Sequence, residues 1–166
     1  MKKLWLMLVI LNLLWAGTLS AGEIKFGCAD LFEVFQSYSG TKKADAYLKK
    51  KAEGFQEEIN KMREDISALE KILESGLLSE DEKAQKSKEI EGKKKALEEK
   101  IKASNLVMMK ERKEKVDNIL KELEKKIAEF AHEKGYQMIL DKKDVLYIDE
   151  SMDITKEIIK YVNEKE

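Results

Sequence analysis

Apolar positions recur every three or four residues along most of the chain and alternate with polar positions only near its two ends. Between positions 41 and 75 they are separated by steps of 4, 3, 4, 3, 4, 3 and 4. This seam consists of Leu48, Ala52, Phe55, Ile59, Met62, Ile66, Leu69 and Leu73. Because the steps form a heptad repeat flanked by Lys and Glu, they predict a long solvated helix with one packing face.

The residues after this helix predict a hairpin. Gly76 can adopt the left-handed conformation that ends a helix, and the run from Ser79 to Glu82 has the pattern of a capping box. The helix that starts there meets no breaker before Gly135. Two helices joined by so short a connection should pack antiparallel, forming an elongated arm.

The seam also predicts the register of the arm. If residue i faces residue 156 − i, four large apolar pairs form. They are Ile66 with Ile90, Ile59 with Leu97, Phe55 with Ile101, and Leu48 with Met108. The same register sets Ala52 against Ser104, which is a small pair. It gives poorer contacts for Leu69 against Ser87 and for Met62 against Lys94. We therefore expect a thin seam and an arm that bends.

The region before the arm predicts a strand and a short helix. Ile24, Phe26 and Cys28 alternate with polar or small residues, which suits a half-buried strand. Residues 31–35 have helical spacing, and Ser39-Gly40 is expected to end that helix. Cys28 on the apolar side of a strand is most simply a small core residue.

The region after the arm predicts two more strands and a last helix. Residues 136–141 and 145–148 have strand character, with a turn at 141–144 between them. A helix is expected over 154–163, with Asp153 as its N-cap.

The second arm helix is longer than its partner, so its C-terminal part must pack on something else. It carries a wider apolar stripe there: Val116, Ile119, Leu120, Leu123, Ile127 and Phe130. Three short strands and parts of three helices make a marginal core, which oligomerisation through the strands would complete. The predicted fold is mostly α with a small β body: a long antiparallel hairpin, 41–114, projects from a strand-mediated trimeric body, 22–40 and 115–166.

Residues 1–21 have the layout of a secretory signal peptide. A basic start at Lys2 and Lys3 precedes the apolar run 4–16 and a small, polar segment. A retained membrane anchor is the alternative, although the run is shorter than the roughly twenty apolar residues that span a bilayer. Cleavage would place the mature protein outside the cytoplasm, in a bacterial periplasm.

Composition limits the possible functions. The chain has 32 Lys+Arg against 33 Asp+Glu, a formal charge of −1, which disfavours a nucleic-acid partner. A single cysteine, Cys28, excludes an intrachain disulfide, and a single histidine, His132, excludes a multi-histidine metal site. With 39% charged residues and no proline, the composition favours long solvated helices.

The chemical motifs give no candidate site. Gly92-Lys93 lacks the first glycine and the Ser or Thr of a phosphate loop. Glu129 and His132 have the Glu-x-x-His spacing of di-iron bundles, but no second histidine exists. Cys28 could act as a nucleophile only with a base partner. We therefore predict no catalytic, cofactor-binding or metal residue, no cofactor, and no enzyme activity.

Two further features have alternative interpretations. The lysine clusters at 49–51 and 93–95 could contact anionic surfaces, but acidic residues one turn away favour a solvated face. Met108-Met109 could offer a soft surface to a bound protein, or could pack in the seam.

Taken together, the elements resemble the Skp/OmpH family of periplasmic chaperones. The features that carry this resemblance are the signal peptide, the strand leading into a short helix, the charged hairpin, a strand ending Ile139-Leu140-Asp141, a strand with Tyr147, and Asp153-Ile154-Thr155 opening the last helix. The resemblance covers the whole mature chain. Its specificity lies mainly in 25–35 and 137–159, because any charged hairpin would match the middle.

The resemblance implies a homotrimer. Its strands would form a shared β-barrel-like body, and its three arms would surround a cavity that holds unfolded outer-membrane proteins without ATP before their membrane insertion. It also implies weak contact with membrane or lipopolysaccharide. The arms depart from the strongly basic members of that family, because residues 41–133 contain 23 Lys+Arg and 22 Asp+Glu. We therefore expect a weaker grip on anionic partners.

Other functional classes explain less of the chain. A structural coiled coil, tethered in the envelope by an uncleaved N-terminal helix, accounts for the arm but not for the strands. A cytosolic prefoldin-like assembly combines strands with arms, but the signal peptide opposes it. An enzyme is the class least supported by the residues.

Overall fold

The computed structural model describes residues 24–165, and long helices dominate them. In chain order the elements are β1 (Phe26–Ala29), α1 (Leu31–Ser37), α2 (Ser39–Glu74), α3 (Glu80–Lys134), β2 (Met138–Asp141) and α4 (Thr155–Glu164). Two one-turn 3-10 helices, Lys142–Asp144 and Glu150–Met152, lie between β2 and α4. The predicted signal peptide, 1–21, lies outside the described residues.

The two long helices form the predicted antiparallel hairpin. At ~1.5 Å per residue, α2 is about 54 Å long and α3 about 80 Å. Gly76 has a φ of 73°, as expected for the residue that turns the chain after α2. The capping box also forms: Ser79 accepts from the Glu82 N–H, and the Glu82 carboxylate accepts from the Ser79 N–H at 2.8 Å. Gly135, with a φ of 72°, ends α3.

The arm seam is narrow, as predicted. Leu48, Ile59 and Ile66 are buried on α2, whereas Ala52 is exposed. The remaining predicted seam residues are half-buried. On α3 the buried arm positions are Ile90 and Ser104.

Ion pairs between the arm helices are offset from the predicted register by two and eight residues. Lys100 pairs with Glu58, and Lys94 pairs with Glu70 at 2.6 Å. On the predicted register Lys100 would face residue 56 and Lys94 would face residue 62. Glu58 and Glu70 both lie closer to the arm tip than these positions. The direction of this displacement is expected, because side chains on a helix lean towards its N-terminus, and the N-terminus of α3 is at the tip.

The break between α1 and α2 lies one residue before the position expected from the sequence. Ser39 and Gly40 were expected to end the first helix, but they are the first residues of α2. The extended residue is Tyr38, whose side chain is buried in the body. The N–H of Ser39 donates to the side chain of Asn163 at 2.7 Å, so a distant residue on α4 supplies the cap.

The body is a two-stranded parallel sheet covered by helices. β1 and β2 pair from Phe26 with Met138 to Ala29 with Asp141. The core combines residues of β1, α1, the body part of α3 and α4 with Tyr38, which lies between α1 and α2, and Ile154, which precedes α4. Its buried residues are Ala29, Val34, Tyr38, Ile119, Leu123, Phe130, Ile154, Ile158, Tyr161 and Val162. The N-cap of α4 is Ile154 rather than the predicted Asp153, although the Asp153 carboxylate accepts from the Thr155 N–H at 3.0 Å.

The predicted strand at 145–148 is wrong for the single chain. Leu146 is fully exposed and Tyr147 largely so, and the segment has no regular structure. A strand needs a partner, and β1 is already flanked by β2 on one side and by a bridge from Cys28 to Asp153 on the other. The β-forming residues are present, but within residues 24–165 they meet no sheet edge.

Candidate functional site

An uncovered apolar surface of the body lies beside β2. A cavity of about 360 Å³ lies between α1, α3 and β2, with Val34, Ile127 and Met138 in its walls. A second cavity, of about 710 Å³, lies against Phe32 and Val116. Leu31 and Leu120 line both, so the two form one continuous apolar surface.

This surface is next to an open sheet edge. Among residues 24–165, β2 pairs with β1 alone, so its outer backbone groups lack strand partners. Met138 and Leu140 on β2 are both exposed, as are Phe32 and Leu120 beside them. A bare edge with exposed apolar neighbours is a surface for pairing with another chain. The unpaired segment 145–148 lies in the same body and has the composition of a strand.

An ion pair and a hydrogen bond, both to Asp153, join the segment that follows β2 to the start of α4. The Lys142 ammonium donates to the Asp153 carboxylate at 2.7 Å, and the Thr155 hydroxyl donates to the same carboxylate at 2.5 Å. The hydrogen bond from Lys142 and those from Thr155 lower the pKa of Asp153 to about 2. Asp153 therefore stays charged at neutral pH and joins the loop after β2 to the start of α4.

The predicted stripe at the end of α3 divides into two faces. Ile119, Leu123 and Phe130 are buried in the body core, and Ile127 is half-buried against it. Val116 and Leu120 were grouped with these residues but are exposed. The stripe is therefore wider than the body of one chain can cover.

The lysine clusters of the arm lie on its solvated face, with some members paired across the hairpin. Lys51 pairs with Glu111, and this hydrogen bond raises the pKa of Lys51 and lowers that of Glu111. Lys93 lies 4.0 Å from Asp65. Of the adjacent methionines, Met108 is half-buried in the seam and Met109 is exposed.

The residues examined for chemistry are not brought together. Gly92 lies inside α3, where no phosphate-binding loop can form. His132 is exposed in the last turn of α3, and Cys28 is buried on β1. Within residues 24–165 no three His, Cys, Asp or Glu side chains form a group that could hold a metal ion.

The structure buries one lysine that the sequence patterns did not single out. Lys126 is 9% exposed, and its ammonium donates to the carbonyls of Val162 and Lys165, each at 3.0 Å. It also lies 5.0 Å from the centre of the Tyr38 ring. Its place in heptad spacing between Leu123 and Phe130 is the signal that could have indicated burial.

Comparison with known proteins gives a family match that spans both the body and the hairpin. The family model described as outer membrane protein (OmpH-like) matches residues 25–162. The chain belongs to the OmpH-like family. An uncharacterized protein of Aquifex aeolicus (strain VF5) is 31% identical to this OmpH-like chain over 154 residues, which cover 86% of the chain and 90% of that protein.

A solved structure has the same fold as this OmpH-like protein. It is a Caulobacter crescentus CB15 protein assigned as an OmpH-like outer membrane chaperone, with a TM-score of 0.78 and 18% identity. The match covers 92% of this chain and 91% of that one. The predicted architecture, long helices projecting from a small β body, is thereby confirmed. Across the described part of the OmpH-like chain, no helix is both long and apolar enough to cross a membrane.

Proposed function

We propose that the protein is an ATP-independent periplasmic holdase chaperone. It would bind unfolded outer-membrane proteins in a cavity between the arms of a homotrimer and prevent their aggregation before membrane insertion. Membership of the OmpH-like family supports this function, as does the likeness to a protein assigned as an outer membrane chaperone. The signal peptide predicted at 1–21 would be removed on export.

Assembly through the strands is supported by the open edge of β2. A trimer would give this edge a partner and cover the two adjoining apolar cavities. The strand-like segment 145–148 supplies residues that could pair between chains. In this proposal 22–40 and 115–166 act as the association body, and 41–114 acts as the arm.

The holding step needs no chemical reaction. An unfolded barrel protein exposes alternating apolar side chains and unpaired backbone groups, both of which promote aggregation. Arms of about 54 Å enclose a space in which such a chain is kept apart from others. Retention then depends on many weak apolar and polar contacts, and release requires only that a better partner compete for them.

The test is an aggregation assay combined with an assembly variant. The mature protein should prevent a urea-unfolded outer-membrane barrel from scattering light after dilution. Met138→Lys with Leu140→Lys places charges on β2 without touching the arm, so both trimer formation and protection should be lost. The matched control is Leu77→Lys at the arm tip, where the leucine is 88% exposed. Absence of protection by the wild-type protein would refute the chaperone proposal and favour a tethered structural coiled coil.

A further inference from the structure

The helix α3 carries a second heptad row on the side that faces away from α2. Starting at Lys102 the row continues through Leu106, Met109, Lys113, Val116 and Leu120, in steps of 4, 3, 4, 3 and 4. Leu106 lies two residues from Ser104, which is buried against α2. Two residues rotate the helix by about 200°, so the row lies opposite the seam. We call Leu106, Met109, Val116 and Leu120 the outer stripe.

The outer stripe is exposed along its whole length. Leu106 and Met109 are 62% and 65% exposed, and Val116 and Leu120 are 36% and 51% exposed. At its body end the stripe continues into the apolar cavities, since Val116 and Leu120 line the wall beside α1. An apolar surface therefore extends from the edge of β2 to Val116, and beyond Lys113 the row resumes with Met109 and Leu106 on the outer side of the arm.

The surroundings of Leu106 and Met109, the arm end of the outer stripe, are basic despite the balanced charge of the arm. Residues 102–113 contain four cations, Lys102, Lys110, Arg112 and Lys113, and one acidic residue, Glu111. Glu111 is already paired with Lys51 on α2. Lys110 and Lys113 are both exposed beside the apolar residues. This part of the arm therefore complements an apolar partner that carries carboxylates.

A second copy of the arm is a poor partner for this surface. Lys102 and Lys113 occupy row positions, so two copies packed in parallel and in register through their stripes would bring identical lysines together. Burying like charges without counter-ions is unfavourable. A chain that supplies carboxylates at those positions meets no such penalty.

We propose that the arm end of the outer stripe, at Leu106 and Met109, binds extended, unfolded polypeptide in which apolar residues alternate with Asp or Glu. The apolar side chains of that segment cover Leu106 and Met109, and its carboxylates contact Lys102, Lys110 and Lys113. This inference rests on the proposed holdase function and names the segments that the arm selects from an unfolded protein.

Two labelled peptides test the selection, one alternating Leu with Glu and the other alternating Leu with Lys. Fluorescence anisotropy with the full mature protein should show about fivefold tighter binding of the Leu/Glu peptide at low salt, because a few exposed ion pairs each contribute modestly. Leu106→Gln with Met109→Gln should weaken that binding about tenfold. Leu77→Gln, the matched change at an exposed leucine outside the stripe, should leave it unchanged. Lys110→Glu with Lys113→Glu should reverse the peptide preference.

Equal binding of the two peptides, or binding that Leu106→Gln with Met109→Gln leaves intact, would overturn the inference. A lower sedimentation mass for that variant would also overturn it, because the stripe would then be a contact between subunits. These results are separable from the holdase test. If the wild-type protein protects an unfolded barrel while the stripe variant protects equally well, the chaperone function stands and the outer stripe is not its binding surface.

Discussion

Replacing Lys126 by Met should destabilise the body by removing the group that binds the end of α4. In the folded protein the Lys126 ammonium donates to the carbonyls of Val162 and Lys165. Val162 is fully buried, so its carbonyl would have no solvent to replace the lost donor. Met has a similar length and fills the same space, so the loss is of hydrogen bonds and charge rather than of packing.

The expected loss in the free energy of unfolding is about 2 kcal/mol. A hydrogen bond from a charged donor contributes roughly 1.5–3 kcal/mol, and a buried acceptor left unpaired costs about 1–3 kcal/mol. The two ranges describe the same loss, so they are not added. Removal of the nearby Lys126–Glu122 contact, at 3.7 Å, adds little because the glutamate is half exposed. For a chain of this size, 2 kcal/mol corresponds to a fall in Tm of about 4–8 °C.

Urea unfolding followed by far-UV circular dichroism, at one protein concentration, measures this change. The control is Lys125→Met, the neighbouring residue, whose side chain is 79% exposed and lies 3.9 Å from Glu129. That control should shift the free energy of unfolding by less than about 0.5 kcal/mol. If the Lys126 variant unfolds at the same urea concentration as the Lys125 variant, the buried lysine does not stabilise α4.

Three other changes test the arm, the loop after β2 and client binding. Ile59→Ala should cost about 2 kcal/mol, and half-buried Leu97→Ala somewhat less, with the double variant losing less than their sum in a urea cycle. Asp153→Asn should cost about 1–2 kcal/mol at pH 7. Because its folded pKa is depressed to about 2 from 3.8, the stabilisation is present above about pH 4 and lost as pH falls through 2. The affinity for an unfolded outer-membrane barrel should change only a few-fold between low salt and about 0.5 M salt.

Each of these expectations has a contrary outcome. Purely additive losses at Ile59 and Leu97 would contradict the register that sums to 156. An Asp153→Asn difference that stays constant from pH 7 to pH 2 would show that the carboxylate charge does not stabilise the fold. A fall in client affinity of two or more orders of magnitude with salt would show that basic side chains, rather than apolar contacts, dominate retention.

Local sequence signals were sufficient to predict the arm. The heptad steps, the capping box at Ser79 and the glycines at 76 and 135 each act within a few residues, so they could be read without knowledge of the fold. The ends of α2 and α3 were consequently predicted within two residues. The wide stripe on α3 also indicated that this helix packs on a body, although its division into buried and exposed faces depended on the body's size.

Long-range contacts explain what the sequence did not reveal. Tyr38 interrupts the helices because its ring fills the core and Asn163 caps the next helix from the far end of the chain. Lys126 occupies a heptad position between Leu123 and Phe130, but its hydrogen-bond acceptors come from α4 and cannot be read from the residues around it. Residues 145–148 have the side chains of a strand but lack a neighbouring edge, and no pattern within four residues encodes the presence of a partner.

Sedimentation of the mature protein alone and with one unfolded outer-membrane barrel tests the central claim most directly. The protein alone should sediment as a trimer at micromolar concentration, and the mixture should give a soluble complex that contains one barrel chain without added ATP. A monodisperse monomer that leaves the barrel to aggregate would contradict both the strand-mediated assembly and the holdase function.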